Sequence, residues 1–366
     1  MSPTPVMPMM LFVVSAALLA AAVGCEGGAA SEEPGPGPSA SLYGKPEVMR
    51  FRDGKRGTVS LRFDDSMLSQ ADVAIPHLNK RRLVGTFFVN PALDRYKARR
   101  EVWEVICPRA GHELANHTMH HLGAKTYEEA EYEIGECSRL IWSLYPERSK
   151  LLPFARGGGT TWDITDEQMR ELTLKHFLFR HRPTRSVCND PDNEYYNSED
   201  IDIRRHAQRA IDERVWVELM FHGIGGEWIS CSEETFVSLL DFLVENQGEL
   251  WVATVGDAWK YEQEYQALSD VSVSEAHEAG FRIAVECDDS KLETYGLPLA
   301  ELYDQPLTVR VPVPDSWGHF SVVQGADGHT AGKNREAIEV DGRRVAQFDV
   351  LPGAGEARVT RVSDPF

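Results

Sequence analysis

The chain has 366 residues, enough for one large domain and a smaller one. Hydrophobic residues make up 42% and charged residues 26%, the makeup of a globular protein with a core rather than of a disordered or fibrous chain. The formal net charge of −19 excludes a phosphate-neutralising surface, so neither nucleic acid nor an anionic membrane is an expected partner, and a neutral or basic substrate is weakly favoured.

Met10 to Val23 is a run of small and apolar residues, shorter than the roughly 20 that span a bilayer. It ends in Ala22-Val23-Gly24-Cys25 and reads as a signal peptide over residues 1–25. The end of the run resembles a bacterial lipobox, which implies lipidation of Cys25 and an exported, membrane-anchored protein in the periplasm or at the cell surface. The segment departs from the pattern in two respects: no Lys or Arg precedes the apolar run, and Ala22 stands where Leu is usual. Residues 26–50 are expected to be a flexible linker, because their first part is rich in Gly, Pro, Ser and Glu and cannot bury a core.

From residue 51 to 268 strands and helices alternate. Thr58 to Phe63 alternates like a strand, and Ala71, Ala74, Ile75 and Leu78 fall at helical spacing. Gly85 to Val89 is a second buried strand. Thr126-Tyr-Glu-Glu129 is a capping box for a helix running to about Leu144. Val215 to Phe221 is a late strand, and Ser230 to Glu233 can cap the next helix. Trp251 to Val255 is the last strand of the series, and Asp257 is expected to cap a final helix. This order predicts an α/β fold with a parallel sheet, open or closed into a barrel. Residues 269–366 change rhythm. Strand-like runs split by Gly, Pro and Asp, with Asp341-Gly342 as a hairpin signal, predict a small all-β, sandwich-like region.

Six cysteines are present and no Cys-x-x-Cys, which argues against a structural zinc knuckle. Lipidation of Cys25 leaves five, an odd number that cannot all pair within the chain. Export permits disulfides, and buried free thiols account for the sequence equally well.

Three features carry chemistry. Asp64 and Asp65 sit at the C-terminal end of a predicted parallel strand, where ligands bind in α/β folds. His117 and His121 are four apart, a spacing that on one helical turn lets both imidazoles reach one metal ion. Two imidazoles and a carboxylate suit zinc, and also cobalt, nickel or iron. His222 ends the apolar strand Leu219-Met220-Phe221, where it can act as a general acid. Each feature alone has a plainer explanation: a helix cap, a solvated loop pair and a core histidine. His120 faces elsewhere and reads as surface or second-layer.

Taken in order, Asp64-Asp65, His117-Thr118-Met119-His120-His121 and Leu219 to His222 resemble the first, second and fifth motifs of the polysaccharide deacetylase family, the NodB-homology domain of carbohydrate esterase family 4. The resemblance covers about residues 55–265. It implies a distorted (β/α) barrel, Asp64 as base, Asp65, His117 and His121 as ligands of a divalent metal, most simply Zn2+, and His222 as acid. The middle departs from the pattern. Where the family has Arg-Pro-Pro-Tyr-Gly, this chain has Leu152-Pro153-Phe154-Ala155-Arg156-Gly157, so Arg156 is the candidate to orient the base. The fourth motif has no clean match, and Asp190 or Asp192 is left to support His222.

The expected reaction is metal-assisted hydrolysis of an acetyl group on a carbohydrate. Phe154, Leu219 and Phe221 are candidate substrate contacts, with core packing the better reading of Leu219, and backbone N–H groups of 154–157 are candidate oxyanion donors. An N-acetylated amino sugar is the leading substrate. An O-acetyl glycan, or a binding lipoprotein that has lost catalysis, are the alternatives. The sequence leaves the oligomeric state and the role of the β-rich region open.

Overall fold

A computed structural model describes residues 42–325 and 332–362; the expected signal peptide, Cys25 and most of the linker lie outside them. The first described strand, β1 (Glu47–Val48), already departs from expectation. Residues 43–50, the end of the expected linker, are built into the β-rich region. Val48 pairs with Val309, and Tyr43 and Val48 are buried in its apolar core. The buried apolar side chains at 43, 48 and 49 explain why this stretch folds.

The α/β part is organised on β2 (Gly57–Asp64), buried along its whole length. The chain then forms α1 (Ile75–Arg81), β3 (Thr86–Val89), β4 (Glu113–Asn116), α2 (Tyr127–Leu144), β5 (Leu152–Pro153), α3 (Asp166–Lys175), β6 (Leu178–Phe179), β7 (Arg185–Ser186), α4 (Arg204–Glu213), β8 (Trp216–Phe221), α5 (Glu233–Glu245), β9 (Leu250–Val252) and α6 (Val255–Ala267). On one edge β2 pairs with β8; on the other its first half pairs with β9 and its second half with β3. The sheet continues through β4 and through β7, and every pairing is parallel. Asn116 bridges to Phe154 and β5 pairs with β6, so the strands curve round as an incomplete, distorted (β/α) barrel.

Period-two alternation divides the strands into two faces. Val59, Leu61, Phe63, Val217, Leu219 and Phe221 share one core with Leu78, Phe236 and Leu240 of the surrounding helices. Phe63 packs on Phe87, Phe221 and Phe236 at ring separations of 4.7 to 5.9 Å. The other face, turned inward, carries Arg62, Asp64 and Glu218.

Helix starts follow the side chains that can accept a bond from an orphan N–H. Thr126 accepts from the Glu129 amide, as expected. Ser232, inside the expected segment, caps α5. Thr254 rather than Asp257 caps α6, because its hydroxyl accepts from the Asp257 N–H.

The C-terminal region contains β10 (Leu268–His277), β11 (Gly280–Cys287), β12 (Leu307–Pro312), β13 (His319–Gln324), β14 (Gly332–Glu336), β15 (Ile338–Val340), β16 (Arg343–Val350) and β17 (Ala357–Val362). They form two sheets, β1-β12-β16-β15 and β10-β11-β17-β13-β14, around Phe281, Val309, Trp317, Phe320 and Phe348. Asp341 and Gly342 both have positive φ and make the tight turn from β15 to β16. Cys107, Cys137, Cys188, Cys231 and Cys287 are free thiols, and all but Cys287 are buried. Among the described residues no helix is long and apolar enough to cross a membrane.

Candidate active site

The site lies at the C-terminal ends of β2, β4 and β8, where the chain leaves the sheet. Asp65 follows β2 with φ of 77° and Ser66 with 52°. These left-handed conformations turn the carboxylate out of the strand line, and neighbours hold them. Arg95 donates to the Asp65 carbonyl at 2.5 Å, and the Ser66 hydroxyl accepts from the Asn90 N–H at 2.9 Å. Gln70 donates from one amide to the carbonyls of Asp64 (2.5 Å) and His222 (2.9 Å), tying the ends of β2 and β8 together.

His117 and His121 do converge, but not on a helical turn. The chain after β4 is a loop in which Thr118 and His121 have φ of 69° and 57°, which no α-helix accommodates. The Asn90 side chain clamps this loop by donating to the carbonyls of His117 and Thr118. Gly157 lies flat against the His121 ring: a Cβ there would fall 2.4 Å from its Nε2, so only glycine allows the approach.

Asp65 Oδ1 lies 3.1 Å from His117 Nε2 and 3.2 Å from His121 Nε2, and these donor atoms are all within 4.8 Å of one another. The chemistry of the set fits a divalent metal. The Ala155 carbonyl can only accept, so the 2.9 Å contact places a proton on His117 Nδ1. A neutral His117 then directs an Nε2 lone pair at a carboxylate oxygen, which is favourable only with a cation or a second proton between them. A histidine whose other nitrogen is fixed by a carbonyl is the usual arrangement behind a metal ligand. Burial alone would raise the Asp65 carboxyl. Its hydrogen bonds with the His117 and His121 rings outweigh this and hold that carboxyl far below the usual range. The bond to Asp65 in turn raises His121.

Asp64 points to the inner face. Arg62 grips both its oxygens, at 2.7 and 2.8 Å, and all three groups of the Arg62–Asp64–Glu218 cluster are buried. Burial by itself would raise the Asp64 carboxyl; the Arg62 charge reverses this and keeps it ionised. Arg62 also donates to Glu218 at 3.4 Å and lies over the Phe88 ring at 3.9 Å. Glu218 is bonded in turn to His181, which stacks on Trp216.

Arg156 is therefore not the residue that grips Asp64. It is exposed, and the guanidinium on Asp64 comes from β2 itself. Phe221 is corrected as a substrate contact, and Leu219 follows its core-packing reading rather than the contact one: alternation turns both toward the helices, fully buried in the core and away from the site. Phe154 is also buried, and the N–H groups of Phe154 and Ala155 are engaged by the carbonyls of Phe179 and Asn116, so they are not oxyanion donors.

His222 completes the cluster, its Nε2 3.9 Å from Asp65 Oδ2. Burial lowers its basicity, against the opposing pull of Asp64 and Asp65. Neither Asp190 nor Asp192 supports it. His222 Nδ1 is buried with no hydrogen-bond partner among the described residues, and the Asp190 carboxylate accepts from the Asp192 N–H in its own turn. His120 bonds Glu133 at 2.7 Å, outside the cluster. A groove of about 950 Å3 lined by His121, Leu122, Tyr132 and Thr160 opens beside the His121 edge.

An Asp-His-His cluster with a flanking carboxylate and imidazole, at the C-terminal ends of parallel strands, can hold a divalent metal and move protons beside it. Residues 51–177 match the family described as Polysaccharide deacetylase. The chain is also similar, at 22% identity over 358 residues, to a gellan lyase from Bacillus sp; the match covers 87% of this chain and spans only 13% of that protein's length. Among solved structures it is similar to the peptidoglycan deacetylase PdaC from Bacillus subtilis, at 19% identity, 58% of this chain, 94% of that chain and a TM-score of 0.41. It is similar to a family 4 carbohydrate esterase from Streptomyces lividans in complex with acetate, at 16% identity, 54% and 93% coverage and a TM-score of 0.36. It is also similar to BA3943 from Bacillus anthracis, described as a family pseudoenzyme, at 16% identity, 54% and 64% coverage and a TM-score of 0.36.

Proposed function

We propose that this chain is a metal-dependent hydrolase that removes acetyl groups from an N-acetylated amino-sugar polymer or oligomer. The observation that carries the reading is the convergence of Asp65, His117 and His121 on one point, with Asp64 and His222 on either side. A site that had lost its chemistry would have no reason to keep His117 oriented by Ala155 and Asp64 gripped by Arg62.

Zn2+ is the simplest occupant of two imidazoles and one carboxylate, and when bound it would supply Lewis-acid polarisation of water and of the acetyl carbonyl. The protein's own groups do the rest. Asp64 is kept ionised by Arg62, and each carboxylate oxygen retains a second lone pair with which to take a proton from the attacking water. His222 approaches from β8, beyond Asp65, and delivers a proton to the leaving nitrogen. Burial holds its imidazole neutral at rest, so His222 takes that proton from solvent while the charges of Asp64 and Asp65 favour the imidazolium, and the proton on Asp64 returns to solvent once acetate has left. Gly157 admits His121 to the cluster, and Asn90 and Gln70 hold the two loops in register.

The apolar run before Cys25 supports export and lipid attachment, with residues 26–42 as the tether. In this reading residues 51–268 carry catalysis and the β-rich remainder covers the barrel. The deciding experiment is acetate release by the purified protein, with added Zn2+, from N-acetylglucosamine oligomers, peptidoglycan and acetylxylan. Release from an N-acetylated substrate, abolished by Asp64→Asn, is the expected result. Release from acetylxylan alone would reassign the substrate, and no release from any of them would overturn the reading.

A further inference from the structure

Beside His222 stands an aromatic corner that no step above uses. The Trp228 ring packs edge-to-face on His222, with centroids 5.1 Å apart and planes at 78°. Tyr195, from a different loop, meets Trp228 at 5.9 Å and 82°. Both stay open to solvent, at 49% exposure for Trp228 and 52% for Tyr195.

The backbone is built to hold the indole out. Gly223–Ile224 pairs with Ser230–Cys231, closing a short loop around Trp228. The Gly226 N–H donates to the Ser230 hydroxyl, the Gly223 N–H to the Trp228 carbonyl, and Glu227 accepts from the Ser69 N–H at 2.7 Å. On either side of Trp228 the chain is left-handed, with φ of 72° at Glu227 and 48° at Ile229. For a β-branched residue that conformation is strained, and strain of this kind persists where function requires the geometry. The strain fixes a tryptophan that faces water, so a ligand is the natural partner for its exposed face.

We infer that Trp228 and Tyr195 form a stacking subsite on the leaving-group side of His222 that takes a pyranose ring of an uncharged or amino-bearing glycan. The inference rests on the deacetylase reading for its polarity along the site. The ring of a sugar presents C–H groups on one face, and these meet the electron-rich face of an indole or phenol. Charge sets the class of sugar. Residues 186–203 and 221–235 contain no Lys or Arg, and they carry Asp190, Asp192, Glu194 and Glu227, so a chain of uronates would be repelled.

The test is titration calorimetry on the full chain carrying Asp64→Asn, which prevents turnover, with N-acetylglucosamine hexamer, xylohexaose and galacturonate hexamer as probes. At least one neutral hexamer should bind, and Trp228→Ala should weaken it at least tenfold, Tyr195→Ala less, and Trp228→Phe least. The galacturonate hexamer should bind more weakly than either. Unchanged affinity in a folded Trp228→Ala variant, no binding of either neutral hexamer, or a preference for the uronate would overturn the subsite. Hydrolysis of an aryl acetate by the unsubstituted protein separates the two readings. Binding that depends on Trp228 without acetate release sinks the deacetylase reading alone. Acetate release with no dependence of hexamer binding on Trp228 sinks the subsite alone.

Discussion

Replacing Arg62 by Met tests whether one guanidinium holds the inner face of the site together. Methionine keeps the unbranched stem that packs over Phe88 but removes the charge and its donors. What remains is Asp64 and Glu218, both buried and now without their shared cation. Breaking a buried pair by removing one partner costs about 3–5 kcal/mol, because the other charge is left uncompensated. The loss should depend on pH, and its sign follows from where the protons go. In the unsubstituted protein Arg62 holds the Asp64 carboxyl below its ordinary 3.8. That contribution is in full force above 3.8 and disappears only as pH falls through the lowered folded value, so it is constant between pH 8 and 5. In Arg62→Met burial is left unopposed by that charge, and the folded Asp64 carboxyl rises above its unfolded value. The folded variant then binds protons that the unfolded chain does not, and it gains stability as pH falls. The gap between the two proteins should therefore be widest at pH 8 and narrow toward pH 5, by about 1.4 kcal/mol for each unit that a raised carboxyl stands above the lower pH. Urea unfolding followed by circular dichroism at both pH values measures this. A gap under about 1 kcal/mol at pH 8, or the same gap at both, would show that Arg62 does not carry the load assigned to it.

The remaining predictions concern the metal, the base and acid, and the N-terminus. Asp65→Ala, His117→Ala and His121→Ala should each lose bound divalent metal, measured by elemental analysis of purified protein; full metal content in all three would dismiss the ligand set. Asp64→Asn and His222→Ala should both retain metal while losing rate by roughly 10²–10⁴-fold, the range for general acid–base groups. An aryl acetate with a good leaving group should rescue His222→Ala far more than Asp64→Asn, and equal rescue would refute the division of roles. Cys25→Ser should move the protein out of the membrane fraction, whereas unchanged fractionation and mass would exclude lipid at that residue.

The sequence by itself determined the ingredients whose signal is local. Alternation made β2, β3 and β8 legible, and turn and cap chemistry marked Thr126 and Asp341-Gly342. Asp65, His117 and His121 were legible as a set because metal ligands are few in kind and their order along an α/β pattern is restrictive. The parallel pairing round β2 and the two-sheet C-terminal region follow from the same local patterns, once each apolar face has to be covered.

What only the tertiary structure decided depends on which face or which distant chain a residue meets. The four-residue spacing of His117 and His121 suggested a helix, yet the strand end and the clamp from Asn90 impose left-handed turns that bring the rings together another way. Leu219 and Phe221 looked like pocket walls beside His222, but a one-residue step along a strand reverses the side, and they face the helices. Arg62 was within reach of sequence reasoning, since it lies two residues before Asp64 and so on the same face. A charged residue inside a buried strand is disfavoured until its partners are known, and Glu218 lies 156 residues away. Arg156, Asp190 and Asp192 were chosen for being near the right motif in sequence. The barrel instead places the guanidinium on Asp64 from its own central strand, and among the described residues no acid meets the His222 Nδ1, because in a folded chain proximity is set by the sheet and not by the order of residues.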